Sequence, residues 1–148
     1  MQEDDILKLS NQLCFPLYAA ARKIVAAYAP FLKEIHLTYT QYVTMMVLWE
    51  KREVSVKDLG ATLYLDSGTL TPLLKKLEKE GLVTRRRSHE DERVVLVQLS
   101  EKGEALREKA KKVPCQMAAL LTKKGAFLPE EEMEKLKGVL YEIIQRLH

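Results

Sequence analysis

Cysteine and histidine are scarce in this chain. Two Cys (Cys14, Cys115) and three His (His36, His89, His148) lie scattered at no spacing that metal ligands use, so neither a metal nor a cofactor is expected. Long apolar runs are missing too. None approaches the roughly 18 residues of a membrane-spanning helix. Residues Met1 to Asp5 are acidic and carry neither the basic start nor the apolar stretch of a secretory leader. The expectation is a cytoplasmic protein with no membrane partner, whose cysteines stay thiols in a reducing compartment. Gly- or Pro-rich linkers, internal repeats and low-complexity segments are absent. That favours a single domain over 1–148, long enough to bury its own core. An excess of one charge is lacking as well. Net charge is +3, and from Lys51 to Arg93 ten Lys/Arg stand against eight Asp/Glu, so bulk charge supports a nucleic-acid partner only weakly.

What the chain does have is a patterned stretch from Val54 to Ser100. Ser55 and Asp58 have capping-box spacing and open a short helix from Val56 to about Leu63. Asp66 is placed to cap a second helix and Gly81 to stop it in the left-handed region. Between them Leu70, Leu73, Leu74 and Leu77 share one face, leaving Ser67, Thr69, Thr71, Lys75, Lys76 and Lys79 largely on the other. A strand pattern follows over 82–87, then polar residues 88–92, then a second strand over 93–99. Two helices and a charged hairpin outline a winged helix-turn-helix over about 38–99, in a mainly α fold with a small β-hairpin wing. Such a domain sets its second helix in the DNA major groove and its hairpin tip beside the backbone or in the minor groove. Arg85, Arg86, Arg87 and Arg93 on the hairpin arms could reach phosphates. A solvated charged surface is the alternative reading of the same residues.

The flanks are helical. Ile6, Leu9, Leu13, Leu17, Ala20 and Ile24 keep a helical rhythm that Pro16 interrupts, because proline offers no N–H to the Gln12 carbonyl. Either the helix kinks or a new one starts near Pro16, with Cys14 at the irregularity. Ala29-Pro30 marks a bend. Thr38 and Gln41 form a second capping box, opening a helix whose Tyr42, Met45, Met46, Leu48 and Trp49 are expected in the core. Ser100 caps a long helix carrying Leu106, Ala110, Val113, Met117 and Leu120, kinked at Pro114 beside Cys115. Leu128-Pro129 starts a last helix, with Glu130 to Glu132 at its positive end and a stripe of Met133, Leu136, Leu140, Ile143 and Leu147. Apolar stripes at both chain ends, about 5–30 and 101–148, are expected to serve as dimerisation helices; packing within one chain is the alternative. A homodimer would offer two recognition helices to half-sites of a palindromic operator about one DNA turn apart.

Cys14 is the residue with chemical interest. A free cysteine in a helix is usually a small buried hydrophobe. A fresh helix N-terminus would instead favour its thiolate. Tyr18, Tyr28, Tyr39 and Tyr42, four of the six tyrosines, crowd the same third of the chain, and a phenol can donate a hydrogen bond to a thiolate. Tyr18 shares a helical face with Cys14 but its hydroxyl is expected to overshoot, so donors from another helix or subunit suit better. An apolar ring around the sulfur would select greasy oxidants.

The segments Gln12-Leu13-Cys14-Phe15-Pro16-Leu17-Tyr18, Leu37-Thr38-Tyr39-Thr40-Gln41-Tyr42, Leu63 through Lys75 with its Leu-Asp-Ser-Gly-Thr-Leu-Thr-Pro run, and Asp91-Glu92-Arg93 resemble the organic-hydroperoxide-sensing repressors of the MarR family. The resemblance covers nearly the whole chain. It implies a MarR-like dimer in which Cys14 senses the peroxide inducer. Tyr28 and Tyr39 would hydrogen-bond its sulfur, one of them across the dimer. Cys115, just after a proline, corresponds to the second cysteine of a two-cysteine subset, and oxidised Cys14 would pair with Cys115 of the other subunit. Pro16 departs from the family, where an apolar residue continues the helix. The implied chemistry is a thiolate attacking a peroxide oxygen to give a sulfenic acid, which condenses with a thiol. A disulfide needs its Cα atoms within about 7 Å, so distant cysteines join only if helices move, and that motion would misplace the two DNA-reading heads.

On the DNA side, Ser67, Thr69 and Thr71 suit base edges and phosphates, Lys75 and Lys76 suit phosphates, and Arg93 suits the minor groove with Asp91 holding its guanidinium. Two other readings stay open: a MarR-type regulator controlled by a small aromatic ligand or metal, with Cys14 inert, and a thiol peroxidase. A hydroperoxide-induced interchain crosslink separates the first alternative, and sustained turnover with a reductant the second. The recognition-helix segment and charged hairpin argue against an enzyme, since peroxide chemistry needs neither.

Overall fold

The computed structural model describes residues 5–148; residues 1–4, within the acidic start read above as no leader, lie outside the described residues. The first long helix, α1, spans Cys14–Lys33 and does not extend back to residue 5. A short 3-10 turn, Leu9–Asn11, precedes it. Pro16 decides this, because in a helix's first turn its missing N–H costs nothing, whereas further in it would break a hydrogen bond. Gln12 folds back instead, its Nε2 donating to the carbonyls of Ile6 (2.6 Å) and Lys8 (3.2 Å). Of the two alternatives at Pro16, the fresh start is the one observed. Pro30, expected to mark a bend, lies inside α1, which runs on for three residues and anchors Leu32 in the core.

Helix α2 (Tyr39–Lys51) opens with the full reciprocal cap: the Gln41 N–H donates to Thr38 Oγ1 (3.3 Å) and the Thr38 N–H to Gln41 Oε1 (2.9 Å). It buries Tyr42, Met45, Leu48 and Trp49, but Met46 is 46% exposed. One residue on from Met45 is about 100° around the helix, which turns Met46 outward. A three-residue strand, β1 (Glu53–Ser55), follows. It is too short to show any alternation in sequence.

Helix α3 (Val56–Leu63) begins at Ser55, whose Oγ accepts the Asp58 N–H (3.0 Å). Helix α4 (Ser67–Lys79) begins at Asp66, whose Oδ1 accepts the Thr69 N–H (2.8 Å). Leu70, Leu73, Leu74 and Leu77 are all buried, each contributing about 2 kcal/mol of apolar transfer. Gly81 then turns left-handed (φ 77°), its N–H donating to Glu78 O (2.9 Å) while the Leu82 N–H reaches Leu77 O (3.0 Å). These are the paired bonds of a Schellman stop.

Strands β2 (Val83–Arg87) and β3 (Val95–Leu99) complete an antiparallel sheet in the order β1-β3-β2. Arg93 and Val94, expected in the second arm, belong to the tip, which closes through the Ser88 N–H to Val94 O (2.8 Å) and the Val94 N–H to Asp91 O (3.0 Å).

The long helix expected after Ser100 is two helices, α5 (Glu101–Ala110) and α6 (Lys112–Thr122). Pro114 has no N–H for the Ala110 carbonyl, and the ladder breaks at Lys111. Leu120 is exposed within the single chain. Helix α7 (Glu130–Arg146) starts after Pro129 with three glutamates in its first turn.

The chain divides into two compact units, one ending at Val113 and the other spanning Pro114–His148. The first holds a continuous core of Leu32, Met45, Leu48, Leu59, Leu70, Leu77, Val83 and Val97. In the second, Met133, Leu136, Val139 and Leu140 of α7 are exposed. Among the described residues no helix is long and apolar enough to cross a membrane.

Candidate nucleic-acid interface and thiol site

Helices α3 and α4 meet through the turn at 64–66, where Tyr64 takes a left-handed conformation (φ 54°). With its four leucines buried, α4 turns Ser67, Thr69, Thr71, Lys75 and Lys76 outward, and all five are exposed. An open trough of about 1350 Å³ runs between α3, Thr71 of α4 and the wing, where Arg86, His89 and Arg93 border it. Arg93 projects from the tip with its side chain 90% exposed, against 24% for Arg85 and 43% for Arg86. Asp91 grips it from both carboxylate oxygens, accepting from Arg93 Nε (3.0 Å) and Nη2 (3.0 Å), while the Arg93 backbone N–H donates to Oδ1 (3.0 Å). Those bonds hold the Asp91 carboxyl below the usual range and raise the Arg93 guanidinium. The guanidinium is thus aimed rather than freely rotating.

The other three arginines are committed within the protein. Arg87 donates to the Glu92 carbonyl (2.8 Å), bracing the tip, and Arg86 pairs with Glu53 of β1 (3.1 Å). Arg85 is half-buried and bound to Glu78 of α4. The partners of Arg85 and Arg86 lie on other elements, α4 and β1.

Behind the recognition helix, the first turn of α5 is seated on the end of α4. Ser100 Oγ donates to Gly81 O (2.6 Å), Lys102 Nζ to Glu80 O (2.7 Å) and the Ser100 N–H to Leu82 O (3.1 Å). Carbonyls at and just after the end of α4 are thereby satisfied by its neighbour. Trp49 of α2 donates its indole N–H to Gly103 O (2.8 Å) in the buried interior.

Both cysteines are free and exposed. Cys14 is the first residue of α1, after a Leu13 that supplies no side-chain cap. Tyr18 is exposed and carries the Arg22 guanidinium over its ring at 5.3 Å. Tyr28, Tyr39 and Tyr42 form one cluster, with ring centroids 5.1 Å apart for Tyr28–Tyr39, 6.1 Å for Tyr28–Tyr42 and 6.4 Å for Tyr39–Tyr42. Burial, then the neighbouring phenols, push Tyr39 and Tyr42 above the ordinary tyrosine range, so both remain hydrogen-bond donors. This cluster does not meet its own cysteine. Tyr28 lies fourteen residues along α1 from Cys14, about 21 Å at 1.5 Å per residue. Beside Tyr39 opens a groove of about 510 Å³ with an apolar floor of Val25, Ala26, Ala29, Leu32 and Leu37. Cys115 follows Pro114 in α6, within the second unit. Among the described residues no His, Cys, Asp and Glu cluster could hold a metal.

Residues 26–110 match the family model of the transcriptional regulator SarA/Rot. The chain is 46% identical over 144 residues to an organic hydroperoxide resistance transcriptional regulator of Bacillus subtilis strain 168, covering 97% of this chain and 95% of that one. It superposes on reduced AbfR bound to DNA, from a protein of Staphylococcus epidermidis, with a TM-score of 0.79, 30% identity and 97% of each chain covered. A disulfide-formed AbfR is similar at a TM-score of 0.66 and 30% identity, over 95% of this chain and 96% of that one. With its two capped helices, its three-stranded wing and these relatives, the chain belongs to the MarR-type winged-helix regulators of transcription that bind DNA, in the group of the organic hydroperoxide resistance regulators.

Proposed function

We propose that the protein is a homodimeric repressor that occupies a palindromic operator while Cys14 is reduced and leaves it when an organic hydroperoxide oxidises that thiol. The observation that carries this reading is the placement of Cys14, exposed at the first turn of α1 among exposed Leu9, Leu13 and Phe15. An apolar approach to a reactive thiol suits a peroxide with a hydrocarbon body. The thiolate attacks the terminal peroxide oxygen, the O–O bond breaks, the alkoxide leaves as the alcohol after taking a proton, and sulfur becomes a sulfenic acid. Condensation with Cys115 of the other subunit expels water and forms the disulfide.

Tyr28 sits about 21 Å along α1 from its own Cys14, and Tyr39 of α2 packs against it with ring centroids 5.1 Å apart, which supports the pair serving the sulfur across the dimer. The helices over about 5–30 and 101–148 supply the dimer contacts, which is consistent with the exposed apolar residues of α1 and α7. On the DNA, Ser67, Thr69 and Thr71 meet base edges and phosphates, Lys75 and Lys76 meet phosphates, and Arg93 enters the minor groove. Arg86 and Arg87, exposed but held by Glu53 and the Glu92 carbonyl, shape the wing that presents Arg93.

The test is operator binding before and after cumene hydroperoxide for wild type, Cys14→Ser and Cys115→Ser, with a non-reducing gel alongside. Wild type dissociates and crosslinks, Cys14→Ser stays bound, and Cys115→Ser gives no crosslink. Dissociation of Cys14→Ser in step with wild type would remove Cys14 as the sensor.

A further inference from the structure

Among the described residues of the first unit, three ion pairs join separate elements: Arg52–Glu104, Arg86–Glu53 and Arg85–Glu78. The last differs in its hydrogen bonding. Glu78 lies near the end of α4 and receives three donors from one residue of the wing: the Arg85 backbone N–H at 3.1 Å, Nε at 3.4 Å and Nη2 at 3.1 Å. The bonds from Arg85 hold the Glu78 carboxyl below its usual range.

The backbone bond is informative. In the order β1-β3-β2, strand β2 is an edge, and Arg85 faces Val97 of β3. An edge strand leaves a row of N–H groups without a ladder partner. Here the recognition helix supplies one through Glu78. Wing and recognition helix are otherwise joined at the base of the hairpin, through the short segment around Gly81 and the buried Val83 and Val97 that share a core with the α4 leucines. A hairpin pivoting there, about 23 Å from Ser88 at 3.3 Å per residue, would move its tip by about 4 Å for a swing of about 10°. That is more than a hydrogen bond to DNA tolerates. A second attachment at Arg85 removes the swing, and the Arg86–Glu53 pair ties β2 to β1 so that the sheet turns as one body.

We propose that Glu78 is a positioning residue for DNA binding: through Arg85 it sets the angle between wing and recognition helix at which Arg93 and α4 engage the duplex together. Arg85, expected from the sequence to touch DNA, acts through this tether. The proposal rests on the reading of Arg93 as a DNA contact.

A double-mutant cycle tests it, using the reduced full-length protein and a labelled operator at several salt concentrations. Arg93→Ala weakens binding by about tenfold and lowers the salt slope by about one. Glu78→Ala, which touches no DNA, does nearly the same, by about tenfold. The double variant is no weaker than either single one, because a wing without its arginine gains nothing from being aimed. Multiplying losses, near a hundredfold together, would mark a general loss of structure and overturn the proposal, as would an unaffected Glu78→Ala. If Arg93→Ala itself costs nothing, the wing reading falls and takes the proposal with it; if Arg93→Ala costs affinity but the losses multiply, the tether alone falls. Should Glu78→Ala not fold, Glu78→Gln keeps one acceptor oxygen for the Arg85 N–H, and the same cycle decides.

Discussion

Adding one methyl group at Gly103 should unseat the recognition helix from behind. A Cβ built there lies 2.2 Å from Leu82 O, 2.8 Å from Leu99 Cδ1 and 3.2 Å from the Leu82 carbonyl carbon. The nearest obstacle is backbone, pinned by the Ser100 N–H at 3.1 Å, so it cannot swing aside as a side-chain tip would. Relief requires α5 to lift by about 1 Å, which stretches the buried Trp49–Gly103 bond from 2.8 Å to roughly 3.8 Å, beyond hydrogen-bond range. Overpacking costs about 1–3 kcal/mol and the lost buried bond about 1–3 kcal/mol, against up to ~1 kcal/mol returned by alanine's helix propensity. Gly103→Ala is therefore expected to lose about 3 kcal/mol, or roughly 6–12 °C in Tm for a chain of this size. The assay is urea and thermal unfolding followed by far-UV circular dichroism at fixed protein concentration, because the stability of a protein that self-associates depends on concentration. Two glycines calibrate the scale. At Gly60 the added carbon meets Leu65 O at 2.7 Å, predicting a smaller loss, while at Gly68 it meets only the Asp66 carboxylate at 3.2 Å, predicting almost none. A Gly103→Ala protein as stable as wild type, or more stable than Gly68→Ala, would refute the packing argument.

Two further outcomes follow from the same core. Trp49→Phe keeps most of the ring area but leaves the Gly103 carbonyl without its donor, and should cost about 1–3 kcal/mol in the same unfolding assay; a neutral effect would mean water replaces the indole. Tyr39 and Tyr42 have folded pKa values above their ordinary 10.0, so the folded state holds these protons more tightly. Their contribution to stability is complete below pH 10 and fades as pH rises through the folded values. Absorbance titration near 295 nm should show two late-ionising tyrosines that Tyr42→Phe and Tyr39→Phe remove one at a time, and normal titration of both would contradict the buried cluster.

Much of the scaffold was legible because its punctuation is local. Thr38 with Gln41, Ser55 with Asp58, Asp66 with Thr69 and Ser100 with Gly103 each act over three residues, so side-chain type and spacing suffice to mark where helices start. Gly81 marks a stop for the same reason. The leucines of α4 repeat at helical period, which determines the face left exposed. The Asp91–Arg93 grip, two residues apart, was within reach of the same reasoning.

What sequence could not decide depends on partners brought together by folding. Strand β1 exists because β3 offers it hydrogen bonds, not because three residues prefer to be extended. The pairing of Arg85 with Glu78 and of Arg86 with Glu53 is hidden in the sequence, since charge spacing along a chain does not reveal which opposite charge lies nearest in space. The tyrosines cluster as their crowding in sequence suggested, yet the rise of an α-helix carries Tyr28 far from Cys14 on the same α1. Sequence alone therefore determined the helix caps and which face of α4 is buried. Which carboxylates hold the wing arginines, and that Tyr28 packs with Tyr39 and Tyr42 far along α1 from Cys14, were decided by tertiary structure, because distances between residues far apart in the chain exist only once it has folded.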